Sequence, residues 1–590
     1  MRTVSLFALF VSAKGLLLLL RGREEMLSVW TPVAFLHQDV IALAVWGLLE
    51  VSLFRLGRWA NRSGWGLYGV AAAWTALNVP IARVLSTPLT PSLRQAAGGA
   101  IADSILHYAT GVNLLALGIV VAVAVAAPLA LRRIPTPRRR WLVVPVLGGF
   151  LVAALGPPSL SRVDSLGLHR NALWTLAFAG GGVPHRVAVR EGVRWDKSPV
   201  EESRPRVFVP RLTGTAVGRN VVIVMLESTA AQYLRIHGAS EDPTPNLTQL
   251  AGEGIVFDDI YSAYPESIKG LFSILCSRWP AYETDTARYR ADRLRLPALP
   301  GLLCDRGYRT ALFHSGHFGY LGMQDVVRGR GFHELHDAAA IGGPQASSFG
   351  IREETTVRRI LSFVDSLGAG ERFCLFYLPI AGHHPYSIPE DAEKTFGEDS
   401  EFGSYLNSLR YGDRALGELR EGLRRRGLDR ETLWIVAGDH GEAFGQHEGN
   451  VGHTAFLYEE NVHVPFVIAL PGSAWNPGRS SRVGSLVDLA PTVLDLLGFP
   501  IPSEFQGRSL GDAEERMALF FSDYALGLLG LRDGPWKFIY ETESRRGRLF
   551  HLLADPGERT DLAGGDPIRC ARYRERLLEW AADQRARVGR

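Results

Sequence analysis

The stretch Leu433-Trp-Ile-Val-Ala-Gly-Asp-His-Gly-Glu442 decides the fold. Residues 433–437 form an apolar run that is short enough for a strand and apolar enough to be buried on both faces. A carboxylate and an imidazole, Asp439 and His440, follow at once, and then Gly441. Open α/β sheets collect their chemistry at the carboxyl ends of their strands. The pair therefore reads as half of a metal site, whose other half must come from elsewhere in the chain.

A second run of the same kind, Asn220-Val-Val-Ile-Val-Met-Leu226, ends in Glu227. Further strand candidates are 310–313, 373–378 and 464–469, with helical patterns between them at 405–426 and 487–497. Alternating strands and helices imply an α/β fold with a largely parallel sheet covered on both faces. Beyond Pro502 the pattern changes to shorter strands, 536–540 and 548–552, and a closing helix near 567–587. These segments divide the chain into a catalytic part at 216–500 and a C-terminal subdomain at 501–590.

The N-terminal part is different in kind. Apolar stretches at 4–20, 31–54, 65–86, 112–131 and 141–157 approach the ~20 residues that a membrane-crossing helix needs. A cleaved signal peptide is the competing reading of the first, which contains Lys14. Against it, Arg21-Gly-Arg-Glu-Glu25 follows in place of a small-residue cleavage site. Residues 1–158 are thus expected to be a transmembrane domain of five spans, and 159–215, rich in Arg, Pro and Gly, a linker. The basic loop 132–140 and Arg55, Arg58 and Arg62 belong on the cytoplasmic side. With five spans the N-terminus is then inside, at the plasma (inner) membrane, and everything after residue 158 is extracytoplasmic. The mean hydropathy of +0.04 averages these two unlike halves. A formal charge of +3 over 590 residues makes no case for nucleic acid as a partner. Cys276, Cys304, Cys374 and Cys570 have no zinc-knuckle spacing; they read as free thiols, with Cys276–Cys304 the one pairing to consider.

Glu227, Asp439 and His440 at strand ends offer oxygen and imidazole donors to one divalent ion, Zn2+ or Mn2+, with Mg2+ a third candidate. A solvated Glu and a capping Asp are the plainer readings of such residues taken singly.

Four segments carry a resemblance. They are Thr244-Pro-Asn-Leu-Thr-Gln-Leu-Ala-Gly-Glu-Gly-Ile-Val-Phe257, residues 299–310, Gly438-Asp-His-Gly-Glu442 with 457–466, and residues 549–563. In this order they are similar to the sulfatase branch of the alkaline phosphatase superfamily. With membrane spans ahead of them, the chain resembles the lipoteichoic acid synthases and related phosphoglycerol transferases. The resemblance implies an alkaline-phosphatase-like α/β/α sandwich with a small C-terminal subdomain. It also implies metal ligation by Glu227, Asp439 and His440 together with the nucleophile.

In the sulfatase pattern, Ser or Cys opens a Ser/Cys-x-Pro-x-Arg motif 11 residues before an Arg-Tyr-Pro-like end. Ser267 stands 11 residues before Arg278-Trp-Pro280, which selects it as the nucleophile. Lys269 replaces the Pro and Leu271 the Arg. That departure argues against maturation to formylglycine and for an unmodified hydroxyl, as in the transferases. His383 matches the family position facing the transferred group, with His384 its rival by one residue. His453 stands where sulfatases carry Lys, and Lys269 is a further candidate to face a phosphate. Weaker candidates are His314, His317 and His447.

The resulting expectation is a membrane-anchored transferase that moves a phospholipid head group, phosphoglycerol or phosphoethanolamine in type, through phospho-Ser267. The donor is a membrane lipid and the acceptor a glycan or glycolipid. A sulfatase or phosphodiesterase of the same superfamily is the alternative, and a degenerate, non-enzymatic domain is the third reading.

Overall fold

The structure is a computed structural model that describes residues 1–21, 28–90, 107–133, 143–177, 193–202, 207–282, 284–473, 475 and 477–589. All five apolar segments are helical: α1 (Arg2–Leu20), α2 (Thr31–Arg55), α3 (Arg58–Leu85), α4 (Gly111–Leu131) and α5 (Val143–Leu160). Three of these, α1, α2 and α4, are long and apolar enough to cross a membrane, which corrects the expected five. α3 carries Arg58, Asn61, Arg62, Asn78 and Arg83 along its length. The described apolar part of α5, Leu147–Leu160, falls short of the ~20 residues needed. Most of the basic loop 132–140 lies outside the described residues, as do 178–192 and 203–206 of the expected linker.

Lys14, the charge inside α1, is answered in place. It lies 2.6 Å from Asp39 of α2 and donates to the His169 carbonyl at 2.7 Å. A paired charge facing the helix bundle is the form in which intramembrane charges are tolerated. The bundle is also tied to the soluble half, because Glu543 accepts from Gln38 of α2 at 3.0 Å and from Arg170 at 2.8 Å.

The soluble half is built on eight strands: β1 (Asn220–Leu226), β2 (Gly254–Tyr261), β3 (Tyr308–His314), β4 (Glu334–His336), β5 (Arg372–Leu378), β6 (Thr432–Gly438), β7 (His463–Ala469) and β8 (Gly478–Ser485). Their order across the sheet is β8-β2-β7-β6-β1-β5-β3-β4. The two runs that announced the fold, β1 and β6, are central neighbours, parallel and buried at every position. Residues Val221 to Val224 are fully buried, each side chain worth ~1.5–3 kcal/mol of apolar burial.

The sheet is largely parallel, as expected, with one antiparallel strand that makes it mixed. β7 runs antiparallel to both β6 and β2. The chain leaves β6, spends residues 439–462 on a loop at that same edge, and so enters β7 from the top. An antiparallel neighbour needs no crossover helix. Helices α6 (Ser267–Cys276), α7 (Glu353–Asp365), α8 (Glu401–Arg425) and α9 (Leu489–Leu496) cover the two faces.

A second, antiparallel sheet follows: β9 (Met517–Ser522), β10 (Leu528–Asp533), β11 (Trp536–Glu541) and β12 (Arg546–His551). The closing helix α10 (Pro567–Gly589) packs on it through Tyr573, Leu577 and Trp580. All four cysteines are free, so Cys276 and Cys304 form no bridge; Cys276 and Cys374 are buried, Cys304 and Cys570 half-buried.

Candidate active site

Because β1, β2, β5 and β6 all point the same way, their carboxyl ends share one edge. The pairing of Leu226 with Gly438 sets Glu227 beside Asp439. Two close approaches fix the loops above this edge. A Cβ on Gly441 would lie 2.1 Å from the Glu460 carbonyl, and one on Gly382, which has φ +108°, would lie 2.2 Å from the Glu227 carbonyl. Neither position admits a side chain.

Glu227, Asp439 and His440 are buried, and each offers a ligand atom within 4.8 Å of the others. His440 Nδ1 lies 2.9 Å from the Gly441 carbonyl and donates to it. That bond leaves the Nε2 lone pair facing the carboxylates, 3.6 Å from Glu227 and 3.6 Å from Asp439. Ser228 supports both acids, its Oγ donating to Glu227 at 2.9 Å and its backbone N–H to Asp439 at 3.0 Å.

Ser267 arrives from the other side, as the first residue of α6. Its hydroxyl donates to Glu227 Oε2 at 2.9 Å and lies 3.3 Å from His440 Nε2. Glu266 caps the helix, accepting from the Ile268 and Lys269 backbone N–H groups at 2.7 and 3.2 Å. A hydroxyl at a helix N-terminus sits where developing negative charge is favoured.

The electrostatics match a cation. Burial pushes the Asp439 carboxyl up to about 7. Burial, then the neighbouring Asp439, raises Glu227. Burial holds His440 as a neutral imidazole, lowered to about 4. Two buried acids and one neutral imidazole, with no lysine or arginine in ion-pair range among the described residues, fit one divalent metal ion. Glu227, Asp439, His440 and Ser267 would hold it, and the metal itself would lower the pKa of the hydroxyl and draw charge from a phosphoryl or sulfuryl oxygen.

The pocket in front of this corner has a volume of about 260 Å³. Glu227, Ser267, His383 and His453 line one part of it, and Tyr320, Leu321, Met323, Phe349 and Ile380 another. His453 Nδ1 is bound to Glu442 Oε2 at 2.7 Å, and its ring centroid is 4.2 Å from that of His440. His383 Nδ1 is bound to the His384 carbonyl at 2.6 Å, with its ring 4.0 Å from that of Phe349. Both imidazoles thus keep Nε2 for the pocket. His314 and His317 line it as well. His447 does not; it stacks on Tyr458 and bonds Glu460.

Lys269 departs from its expected place. Its ammonium lies 3.2 Å from Asp523 and over the Tyr264 ring, and it is not among the pocket-lining residues. A two-residue step, about half a turn of helix, carries it from the nucleophile to the seam with the small sheet. Sequence reading missed Glu266, Glu442, Tyr320 and Phe349. Glu266 and Glu442 flank recognised residues, and a helix-start reading of 266–276 exposes the first as a cap. Tyr320 and Phe349 come from loops with no periodic signal.

Comparison with known proteins places these features. The family described as Sulfatase matches residues 219–499, and the family described as N-sulphoglucosamine sulphohydrolase, C-terminal, matches 450–568. Lipoteichoic acid synthase-like YvgJ of Bacillus subtilis is 25% identical over 309 residues, 50% of this chain and 49% of that protein. Arylsulfatase K of Bos taurus is 34% identical over 174 residues, 26% of this chain and 32% of that protein. The chain therefore spans about half, or less, of the length of these curated relatives. Among solved structures, the lipoteichoic acid synthase LtaP from Listeria monocytogenes shares the fold at TM-score 0.53 and 22% identity, over 65% of this chain and 96% of that one. A protein in the alkaline phosphatase superfamily from Vibrio parahaemolyticus does so at TM-score 0.54 and 21% identity, over 65% and 90%. Residues 219–499 of this chain match the sulfatase family, and their fold is shared with solved members of the alkaline phosphatase superfamily.

Proposed function

We propose that the chain is a membrane-anchored phosphotransferase whose catalytic half is extracytoplasmic and takes its donor from membrane lipid. The observation that carries this reading is the setting of Ser267. Its hydroxyl stands at a helix start, hydrogen-bonded to Glu227, with Lys269 and Leu271 in place of the Pro and Arg of the sulfatase motif. The similarity to a lipoteichoic acid synthase-like protein over half the chain supports it, as do three helices fit to cross a membrane.

In this reading Ser267 Oγ attacks the phosphorus of a phosphodiester head group, phosphoglycerol or phosphoethanolamine in type. The P–O bond to the lipid breaks, diacylglycerol leaves, and a phospho-serine remains. A glycan or glycolipid hydroxyl then attacks the same phosphorus, and the serine oxygen leaves. The hydrogen bond to Glu227 at 2.9 Å holds the serine oxygen at this corner, and the proton it gives up passes to the pocket imidazoles. His383 and His453, with Nε2 toward the pocket, carry the proton to the leaving oxygen and orient the others. Little covalent chemistry is asked of the protein beyond positioning and charge. Anchoring keeps the pocket at the lipid surface.

Incubation of the purified chain with labelled phospholipids tests this. Release of diacylglycerol is expected, and Ser267→Ala should lower it by at least ~10³-fold. Equal release from both proteins contradicts the mechanism. A second reading, a sulfuric ester hydrolase, rests on the match to arylsulfatase K and to the sulphohydrolase C-terminal family. Formylglycine at position 267, or turnover of aryl sulfates without phospholipid turnover, would select it.

A further inference from the structure

A second set of metal-ligating side chains lies outside the corner just described. His107, from the segment that leads into α4, places Nε2 2.9 Å from Glu401 Oε1 at the start of α8. His384, in the loop after β5, places Nε2 3.8 Å from the same oxygen. The three ligand atoms lie within 4.8 Å of one another. The imidazole rings of His107 and His384 are 4.7 Å apart and mutually perpendicular, so two nitrogens and one carboxylate oxygen converge on one point. Zinc–ligand bonds of about 2.0–2.2 Å put tetrahedral ligand atoms about 3.3–3.6 Å apart, inside the observed range.

The set has the support such a site needs. The Tyr108 ring stacks on His384, with centroids 5.0 Å apart and planes 1° from parallel, which fixes the orientation of the imidazole. Glu401 supplies the negative charge. The His107 and Glu401 side chains are 36% and 34% exposed, which gives an ion a path in and leaves a position for water. Among the described residues, no lysine or arginine is within ion-pair range of Glu401.

We propose that His107, His384 and Glu401 form a second divalent-metal site, zinc-like in its donors. It clamps the segment before α4 onto the catalytic half next to the pocket. His384 is the neighbour of pocket-lining His383 and accepts its Nδ1 hydrogen bond. A metal here would thus hold the membrane part against one wall of the active site. Imidazole, imidazole and carboxylate are the donors that favour zinc over magnesium or calcium.

The test is zinc content by mass spectrometry, with the full chain in detergent dialysed against buffered zinc. The double variant Glu227→Gln, Asp439→Asn removes the first site. It is expected to retain about one zinc ion per chain, against about two in the unaltered protein. Adding His107→Ala or, separately, Glu401→Gln should weaken that remaining zinc by more than the ~10–100-fold that loss of an outer-shell partner costs. Cobalt should report the same site by its visible bands, lost in the same variants. The proposal is overturned if the double variant holds no zinc. It is equally overturned if that zinc survives both substitutions with circular dichroism showing an intact fold.

Discussion

At the seam between the main and small sheets, Lys537 of β11 is fully buried, 2.9 Å from Glu459 and 3.0 Å from Glu558. At the carboxyl edge of the main sheet, Glu227 and Asp439 are also buried side by side, yet no lysine or arginine lines their pocket among the described residues. The two places bury the same kind of charge and meet it differently. Burial pushes Glu459 up, but Lys537, His463 and Arg532 together outweigh it and hold that carboxyl below its usual range, while burial still raises Glu558, on the other side of Lys537, to about 7. At the open edge burial lowers His440 and His453 to about 4, and Asp439 rises to about 7. A buried acid answered by the chain's own cation is structure; one left unanswered calls for a cation from outside.

The comparison can be broken at either end. Lys537→Met leaves a buried acid without its cation and should cost ~3–5 kcal/mol, read as a fall in thermal midpoint, with turnover per folded molecule retained. Loss of turnover without loss of stability would reverse the assignment.

Asp439→Asn should act in the opposite sense on the metal-free protein, stabilising it by ~1–3 kcal/mol while abolishing turnover. The pH dependence follows from the same carboxyl. Its folded value of about 7 exceeds the ordinary 3.8, so its contribution to stability is complete below 3.8 and is lost as pH rises towards 7. Metal-free protein should therefore lose thermal stability between pH 5 and 7, and Asp439→Asn should flatten that slope. A midpoint that climbs over this interval contradicts the picture. The exposed pair Lys394–Glu398, with side chains 44% and 48% accessible, gives the baseline: Lys394→Ala should shift stability by less than ~0.5 kcal/mol.

The contrast also explains what the sequence discloses. β1 and β6 are legible because strands buried on both faces must be continuously apolar, and their ends carry Glu227 and Asp439-His440 within one or two residues. β8 is not legible, since Gly-Arg-Ser-Ser-Arg-Val-Gly-Ser has no apolar alternation and is held by pairing with β2. In α3 the apolar stretch 65–86 has the look of a span, while the first turns of the helix bring in Arg58 and Arg62. Spacing within a resemblance selects Ser267, whose hydroxyl lies beside Glu227 and His440, whereas a two-residue step on the helix turns Lys269 away, toward Asp523. Tyr320 and Phe349 are brought to the pocket by tertiary structure alone.

The central claim is that Glu227, Asp439 and His440 hold a metal that serves an unmodified Ser267. Its most direct test is mass spectrometry of the peptide containing Ser267 after the metal-loaded chain is quenched during turnover of phospholipid. The account predicts a phosphoryl-head-group adduct on Ser267 that is absent after chelation and absent in Asp439→Asn. Formylglycine at that position, or turnover with no adduct at any quench time, would contradict it.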